Sequence, residues 1–457
     1  MSKQPPLFPD VPAPDQAPER RPTGGAPRVL SPNRDQIELR AIDLEQCVPA
    51  DHPVRAVWAF TEVLDLAPLY ALIQSVEGRV GRPAIDPRIL VALWIYATID
   101  AVGSARRLAR LCEEQDPYRW ICGGVSVNHH TLSDFRVAHG AWLDEQLTRS
   151  VGALLHEGVV TLTRIAQDGM RVRASAGAAS FRRKRSLKGC LAQAQAQVEK
   201  LRRELEGDAG AASRREQAAR DRAAEDRARR VERALKQLQQ LERSSQKKKE
   251  KKRKPGESDE DYAKRTEPRT STTDPEARVM KMADGGYRPA YNVQFATDTE
   301  SQIIVGVDLG NVGSDIGQLP PMLKQIEGRY GRLPKEALVD AGFINHVSIE
   351  NAHAREVIVY APVLRPRDPN RDPHAPRPRD SEAVALWRQR MGTEEAKRIY
   401  RERAASAECV NALARQRGLQ QFTLRGMSKA KAIALWHAIA HNLVRMLSLS
   451  KANPLPA

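Results

Sequence analysis

Long apolar runs are missing from this chain. The longest, Ile89 to Ala97, falls well short of the roughly 20 residues that a membrane-spanning helix needs. Cysteine is scarce and scattered: Cys47, Cys112, Cys122, Cys190 and Cys409, with no CxxC pair. An odd, dispersed set supports neither a disulfide framework nor a zinc ribbon. Aromatic residues make up 5% and apolar residues 41% of 457, a little under a typical globular domain. That allows a sizeable core but predicts that part of the chain is not packed into one. The N-terminus has no apolar h-region, so no secretory signal is expected, and the chain reads as a protein of a reducing, cytoplasmic compartment. What is abundant is positive charge: 73 Lys plus Arg against 57 Asp plus Glu, a net +16. Such an excess points to a polyanionic partner, nucleic acid first.

Length alone suggests two to four folded units. Residues 1–35 hold nine of the 30 prolines and read as a disordered tail. Residues 36–158 read as helical: Asp86-Pro87 is a cap residue followed by Pro at the first helical position, and Asn128 can cap a helix from about His129 past Arg136. Val159, Val160, Leu162 and Ile165 favour a strand over 159–167, which ends in Asp168-Gly169. In residues 181–270, Leu187, Leu191, Ala194, Val198, Leu201 and Leu205 recur at helical steps, and so do Val231, Leu235, Leu238 and Leu241. Almost everything between them is charged, so this segment reads as a helical hairpin or coiled coil. It holds 28 basic and 16 acidic residues, a local +12 that accounts for most of the excess. Residues 159–180 and 271–457 read as a mixed α/β domain. Strands are expected at 291–297, 303–308, 336–339 and 357–360, and helices at 315–330, 381–416 and 429–449. Residues 362–380, with six prolines, read as a loop.

Two strands run into an acid followed by Gly within two positions: Asp168-Gly169, and Asp340-Ala341-Gly342. A carboxylate at a strand's C-terminal end sits where α/β sheets bind ligands. Glu408, in a helix, is the third candidate. If the three converge, hard oxygen ligands would hold two Mg²⁺ or Mn²⁺ ions about 3.5–4 Å apart and activate a nucleophile for in-line attack on a phosphodiester. The plain alternative is that these acids are ordinary turn and cap residues.

In its ordered motifs the chain resembles the DDE transposases of bacterial insertion sequences, in particular the eleven-eighty-two type with a long helical insertion in the catalytic domain. Asp168-Gly169 with Arg171 and Ala174 is similar to that family's first catalytic motif, with Met170 where Thr is usual. Tyr291-Asn292-Val293-Gln294 is similar to its second-strand signature, and Val339-Asp340-Ala341-Gly342-Phe343 to its second aspartate motif. Tyr400, Arg403 and Glu408 match the motif that carries the catalytic glutamate, with Asn411 where an aromatic is common and Arg415 where Lys is usual. Phe422, Arg425-Gly426 and His441-Asn442-Leu443 match the C-terminal end. The resemblance spans about residues 38–449. It implies an α+β, ribonuclease-H-like catalytic domain with an inserted helical hairpin, preceded by an all-helical DNA-binding domain. It also implies two divalent ions on Asp168, Asp340 and Glu408, double-stranded DNA as partner, at least a dimer in the active complex, and association with the bacterial nucleoid.

The remaining candidates each carry a plainer reading. Tyr400 and Arg403 share a helix face, and Arg403 is read as a contact to DNA phosphate or to a catalytic carboxylate, against a surface ion pair with Glu402 or Glu408. Arg415 is either a phosphate contact or a solvated helix end. Asp315 is read as an N-cap. Residues 86–140 look like a helix-turn-helix-type module whose last helix presents His129, His130, Thr131, Ser133 and Arg136 to a major groove, against an ordinary helical bundle. Lys247–Lys254 is a DNA contact or a solvated hinge. Rival functions are a DNA-binding repressor with a decayed nuclease fold, a ribonuclease-H-like nuclease that never joins strands, and a coiled-coil scaffold.

Overall fold

The computed structural model describes residues 41, 43–76, 78, 83–207, 214–246, 256–366, 368 and 370–452. The expected disordered tail and the basic run Lys247–Lys254 lie outside the described residues.

Seven helices lead the chain within the described residues: α1 (Pro53–Val63), α2 (Ala67–Tyr70), α3 (Pro87–Ile99), α4 (Ala105–Glu114), α5 (Asp116–Cys122), α6 (His129–Ala138) and α7 (Gly140–His156). Helix α3 starts where Asp86-Pro87 predicts: the Asp86 carboxylate accepts the Arg88 N–H at 2.8 Å, and Pro87 has no N–H to leave unpaired. It is buried nearly all round, and Trp94 Nε1 donates to the Leu132 carbonyl at 3.0 Å. Helix α4 turns Leu108 and Leu111 inward and Arg106, Arg107 and Arg110 outward. Gly123, at φ 53°, ends α5 in the left-handed region that glycine enters at least cost. The Asn128 side chain caps α6, accepting the Thr131 N–H at 2.9 Å.

The first strand, β1 (Arg164–Arg173), begins later than the 159–167 reading. Leu162 takes φ 52° and donates its N–H to Asp298 Oδ1 at 3.1 Å, so Val159–Leu162 is a sharp turn into the sheet. Asp168 therefore lies inside its strand, not at its end. Strand β2 (Phe181–Arg182), helices α8 (Lys184–Gly207), α9 (Arg214–Gln246) and α10 (Asp259–Thr266), and strand β3 (Thr270–Ser271) follow. β2 and β3 pair antiparallel at the base of this charged segment. Leu187, Val231, Ala234 and Leu238 form its own small core, and Lys184 Nζ meets Glu242 at 3.0 Å, tying the start of α8 to the end of α9.

Next come β4 (Arg278–Lys281), β5 (Tyr287–Asp298), β6 (Ile304–Gly310), α11 (Leu319–Tyr330), β7 (Glu336–Leu338), α12 (His346–His353) and β8 (Ile358–Tyr360). The strands lie in the order β4-β5-β1-β7-β8, with β6 also paired to β5. β1, β4 and β6 run antiparallel to β5; β7 runs parallel to β1, and β8 to β7. The chain closes with α13 (Glu382–Met391), α14 (Glu394–Arg403), a π-helical turn (Ala404–Glu408), α15 (Cys409–Gln416) and α16 (Met427–Ala452). The described part of 362–380 forms neither helix nor strand, as its prolines predict. Its end is pinned by a buried ion pair, Arg388 Nε to Asp380 Oδ2 at 2.7 Å.

Apolar side chains cover both faces of this mixed sheet. On one, Val384, Trp387 and Ile399 from α13 and α14 pack on Ala166 and Leu338. The larger cluster joins β5 and β6 to α3, α7, α11 and α16. Of the apolar side expected for α16, Leu435, Trp436, Ile439 and Leu443 are buried and Met446 is half-buried; residues 434–443 are buried all round, so this helix runs through the core. Asn442 closes the free edge of β6 with a strand-like pair of bonds, accepting from Ile304 N at 2.8 Å and donating to Ile304 O at 2.9 Å. Met170, which departs from the resemblance, is fully buried in the main cluster.

Candidate active site

Parallel pairing sets the first two acids side by side. β1 and β7 pair in the register Ile165↔Ala337 and Ala166↔Leu338. Two residues further along that register come Asp168 and Asp340. Side chains two apart along a strand share a face. Ala166 and Leu338 face α12–α14, so Asp168 points toward the same side, where the helix with Glu408 arrives. The chain leaves regular pairing after Leu338, and Asp340 stands at the start of a single 3₁₀ turn, Ala341–Phe343.

The third acid is delivered by an irregular helix. Arg403 and Glu408 are five residues apart, which on a regular α-helix turns them away from each other by roughly 140°. Just past Glu408, the Cys409 N–H donates to the carbonyl of Ala404, five residues back, closing a π-helical turn over Ala404–Glu408. This widened turn brings Arg403 and Glu408 onto one face. Arg403 Nη1 then donates to Glu408 Oε1 at 2.7 Å, and its Nη2 meets Asp168 Oδ1 at 2.9 Å. Arg403 is only 8% exposed, so it is no surface pair. Glu402 is committed elsewhere, to Arg164 at 2.6 Å, which also holds Glu336. Glu408 is 57% exposed, open to a ligand.

Asn411, one turn past Glu408, donates to Asp168 Oδ2 at 2.9 Å. Sequence reasoning treated Asn411 only as a departure from the usual aromatic; its i+3 spacing from Glu408 was the signal that it shares the acid's face. Burial holds the Asp168 carboxyl above the usual carboxylate range; Arg403 opposes this, Asp340 adds to it, and Asn411 and the Gly169 N–H oppose it. Tyr400 is half-buried on the same side, and burial raises its phenol. Arg403 counters that rise, while Asp340, Glu408 and Asp168 reinforce it. Burial works against charge on Arg403, but Asp168, Tyr400, Asp340 and Glu408 hold its pKa above the ordinary value.

Hard carboxylate oxygens suit a divalent ion, and one is waiting: Asp340 Oδ1 is buried with no hydrogen-bond partner. Among the described residues no three His, Cys, Asp or Glu side chains are yet gathered closely enough to hold an ion. Arg403 supplies the positive charge between Asp168 and Glu408.

A second acidic centre lies on the opposite face of β1. Asp315 was expected to cap a helix. Instead α11 starts at Leu319 with Gln318 at its N-cap position, and Asp315 is buried. Its Oδ1 accepts from Asn292 Nδ2 and Gln294 Nε2, both at 2.7 Å, and its Oδ2 from Arg171 Nη2 at 2.9 Å. A Cβ on Gly169 would fall onto Asp315 Oδ1 and Gln294 Nε2, so only glycine fits beside Asp168. The Asp-Gly and Tyr-Asn-Val-Gln motifs thus meet in one polar network.

The other expected site residues lie elsewhere. Helix α6 packs on α3, α4 and α16. His130 and Ser133 are exposed, His129 and Thr131 half-buried, and the two His rings stack at 4.1 Å. Arg136 was expected on the exposed face and is buried: its guanidinium lies 4.6 Å from the Trp94 ring and donates to the Gly103 carbonyl. The apolar body of Trp94 and an unpaired carbonyl draw it inward, which leaves it no reach to a groove. Arg415 is exposed in the last turn of α15.

The mixed sheet thus bears two adjacent acids, and a returning helix brings a third to the same side. Two family models match the chain: "Transposase domain (DUF772)" over residues 42–138, which holds α1–α6, and "Transposase DDE domain" over residues 369–447, which holds Glu408 and most of α16. They support a DDE transposase of an insertion sequence, an enzyme acting on DNA. No curated protein and no solved structure matches the chain. The DDE domain implies a ribonuclease-H-like fold for the sheet, and its family generally uses divalent metal ions. No helix among the described residues is long and apolar enough to cross a membrane.

Proposed function

We propose that this transposase binds the terminal inverted repeats of its own element, cuts at the element's ends and joins the 3′-hydroxyls to target DNA. The observation that carries this reading is the shared face of Asp168, Asp340 and Glu408, with Arg403 clasped between the first and last. Asp168, Asp340 and Glu408 would hold two Mg²⁺ or Mn²⁺ ions, which when bound supply the charge that activates a hydroxyl and stabilises a leaving oxygen. Asn411 and Arg403 fix the Asp168 carboxylate from two sides, which sets the direction in which its oxygens would meet a metal ion. Arg403 also offsets repulsion among the acids, and its guanidinium fork is suited to a backbone phosphate. Tyr400 supports that face, and Arg415 offers a phosphate contact further along α15. Water attacks the first phosphodiester and leaves a 3′-hydroxyl; that hydroxyl then attacks a target phosphodiester, displacing another 3′-hydroxyl.

Helix α6, through His130 and Ser133 with His129 and Thr131 behind them, is the element assigned to base edges. Pairing two element ends calls for at least a dimer on DNA, and the place of action is the bacterial nucleoid in the cytoplasm.

The test is purified full-length chain with end-bearing duplex and Mg²⁺. Cleavage and joining are expected in the wild type, and neither in Asp168→Asn, Asp340→Asn or Glu408→Gln. Binding without cleavage in the wild type would favour a repressor, and cleavage without joining a nuclease. Chemistry that persists in the variants would overturn the site.

A further inference from the structure

A cleft of about 670 Å³ lies away from the acids, between α9, the segment 273–276, and the turn that leads into α16. Five cations line it: Arg230, Arg233 and Lys236 from α9, Arg425 from the turn, and Lys429 from α16. None of the five forms an ion pair among the described residues. The acids beside them are already engaged. Asp274 accepts from Tyr291 Oη at 2.7 Å, Glu276 caps α16 by accepting the Met427 N–H at 2.9 Å, and Asp226 pairs with Arg229 at 2.7 Å. Arg230 is half-buried, and its Nε has no hydrogen-bond partner. Burial, and then the like charge of Arg425, lower its pKa, against the opposing pull of Asp226. Five cations against three carboxylates leave the cleft net positive, and such an excess costs free energy unless an anion joins it.

We propose that this cleft is a binding site for the phosphodiester backbone of duplex DNA, held between the inserted helical segment and the catalytic domain. The inference rests on the reading of the chain as a transposase. Its chemistry is fork-shaped guanidinium donors on phosphate oxygens, backed by lysines, and no base edges are involved. Placed at the root of α9, the site makes the inserted segment part of the DNA-holding surface and not only a helical spacer. Its contribution is therefore blind to sequence and sensitive to salt.

The experiment measures binding of the full chain to an end-bearing duplex and to an unrelated duplex, between about 50 and 200 mM salt. Each neutralised phosphate contributes about −0.9 to the slope of log affinity against log salt, so Arg230→Ala with Arg425→Ala is expected to flatten that slope by about 1.8 on both duplexes. Arg230→Lys with Arg425→Lys keeps the charges and is expected to keep the slope. Lys324→Ala, an exposed cation on α11, is expected to leave it unchanged. Thermal unfolding of each variant checks that the fold is intact. An unchanged slope in the double Ala variant, while the wild type binds DNA, overturns the proposal. So does a loss confined to the end-bearing duplex. A wild type that binds neither duplex overturns instead the transposase reading on which the proposal stands.

Discussion

Two acidic centres sit back to back on one strand, and they are built differently. On one face of β1, Asp315 spends both oxygens on Arg171, Asn292 and Gln294, and is buried. On the other, Asp168 also has both oxygens engaged, by Arg403 and Asn411, but Glu408 is open to solvent and Asp340 keeps a buried oxygen with nothing to bind. Each centre holds an Arg–Asp pair, so the pair itself does not mark chemistry. What marks the second is unfinished satisfaction of the cluster as a whole: Glu408 and Asp340 leave room for a ligand, where the acid opposite has all its partners.

The comparison breaks most sharply on Asp168. Asp168→Asn is expected to lower end cleavage on the order of 10⁴-fold, the scale of losing one member of a catalytic unit, with little change in unfolding temperature. An equal loss of stability would make the two faces alike. On the opposite face the effects should reverse. Asp315→Ala strands Arg171, Asn292 and Gln294, and denaturant unfolding should show a cost of about 3 kcal/mol. Gly169→Ala, which drives a methyl into the same network, is expected to cost about 1–3 kcal/mol. Asn411→Ala, which removes one support of Asp168, should reduce cleavage by about 10–100-fold while leaving duplex affinity in place; single-turnover rates beside binding isotherms separate the two.

The smallest effect expected is on pH. His437 is pushed down to about 3 by burial, with Arg417 and Arg136 adding to the shift. His441 is pushed to about 4, by burial first, against its hydrogen bond to the Gln302 carbonyl and with Arg417 and Arg445 helping. The unfolded chain takes up protons on both near pH 6.5 while the folded chain does not. The unfolded state thus binds more protons from about pH 6.5 down to about 4 for His441 and about 3 for His437. Stability is full above that window and falls as pH drops through it. His437→Gln should flatten the fall in unfolding temperature; an unchanged profile would show that another group governs it.

Much of the scaffold could be read from residues alone. Asp86-Pro87 and Asn128 announced their helices because capping is local chemistry. The β5–β6 hairpin followed from its two β-favouring runs, and the burial of Leu435, Trp436, Ile439 and Leu443 from their spacing, though not the burial of the other side of that helix. The site was legible only in outline. Asp315 looked like a cap because nothing local reveals that Asn292 and Gln294 arrive from a neighbouring strand. Arg136 looked exposed because its partners, Trp94 and the Gly103 carbonyl, come from other segments. The start of β1 was misplaced because β-branched residues favour strands wherever they fall, and the turn at Leu162 is set by Asp298, far along the chain.

The π-helical turn has a consequence for how such sequences are compared. A template written for a straight helix looks four residues beyond Arg403, and there it finds Ala407, a buried methyl. The acid stands one place later, and the extra residue is absorbed in the backbone. The count from Arg403 to Glu408 is five, and the π-helical turn is what lets Glu408 still reach Arg403. Straight-helix geometry alone would pick the wrong residue for the acid; the motif's own spacing picks Glu408.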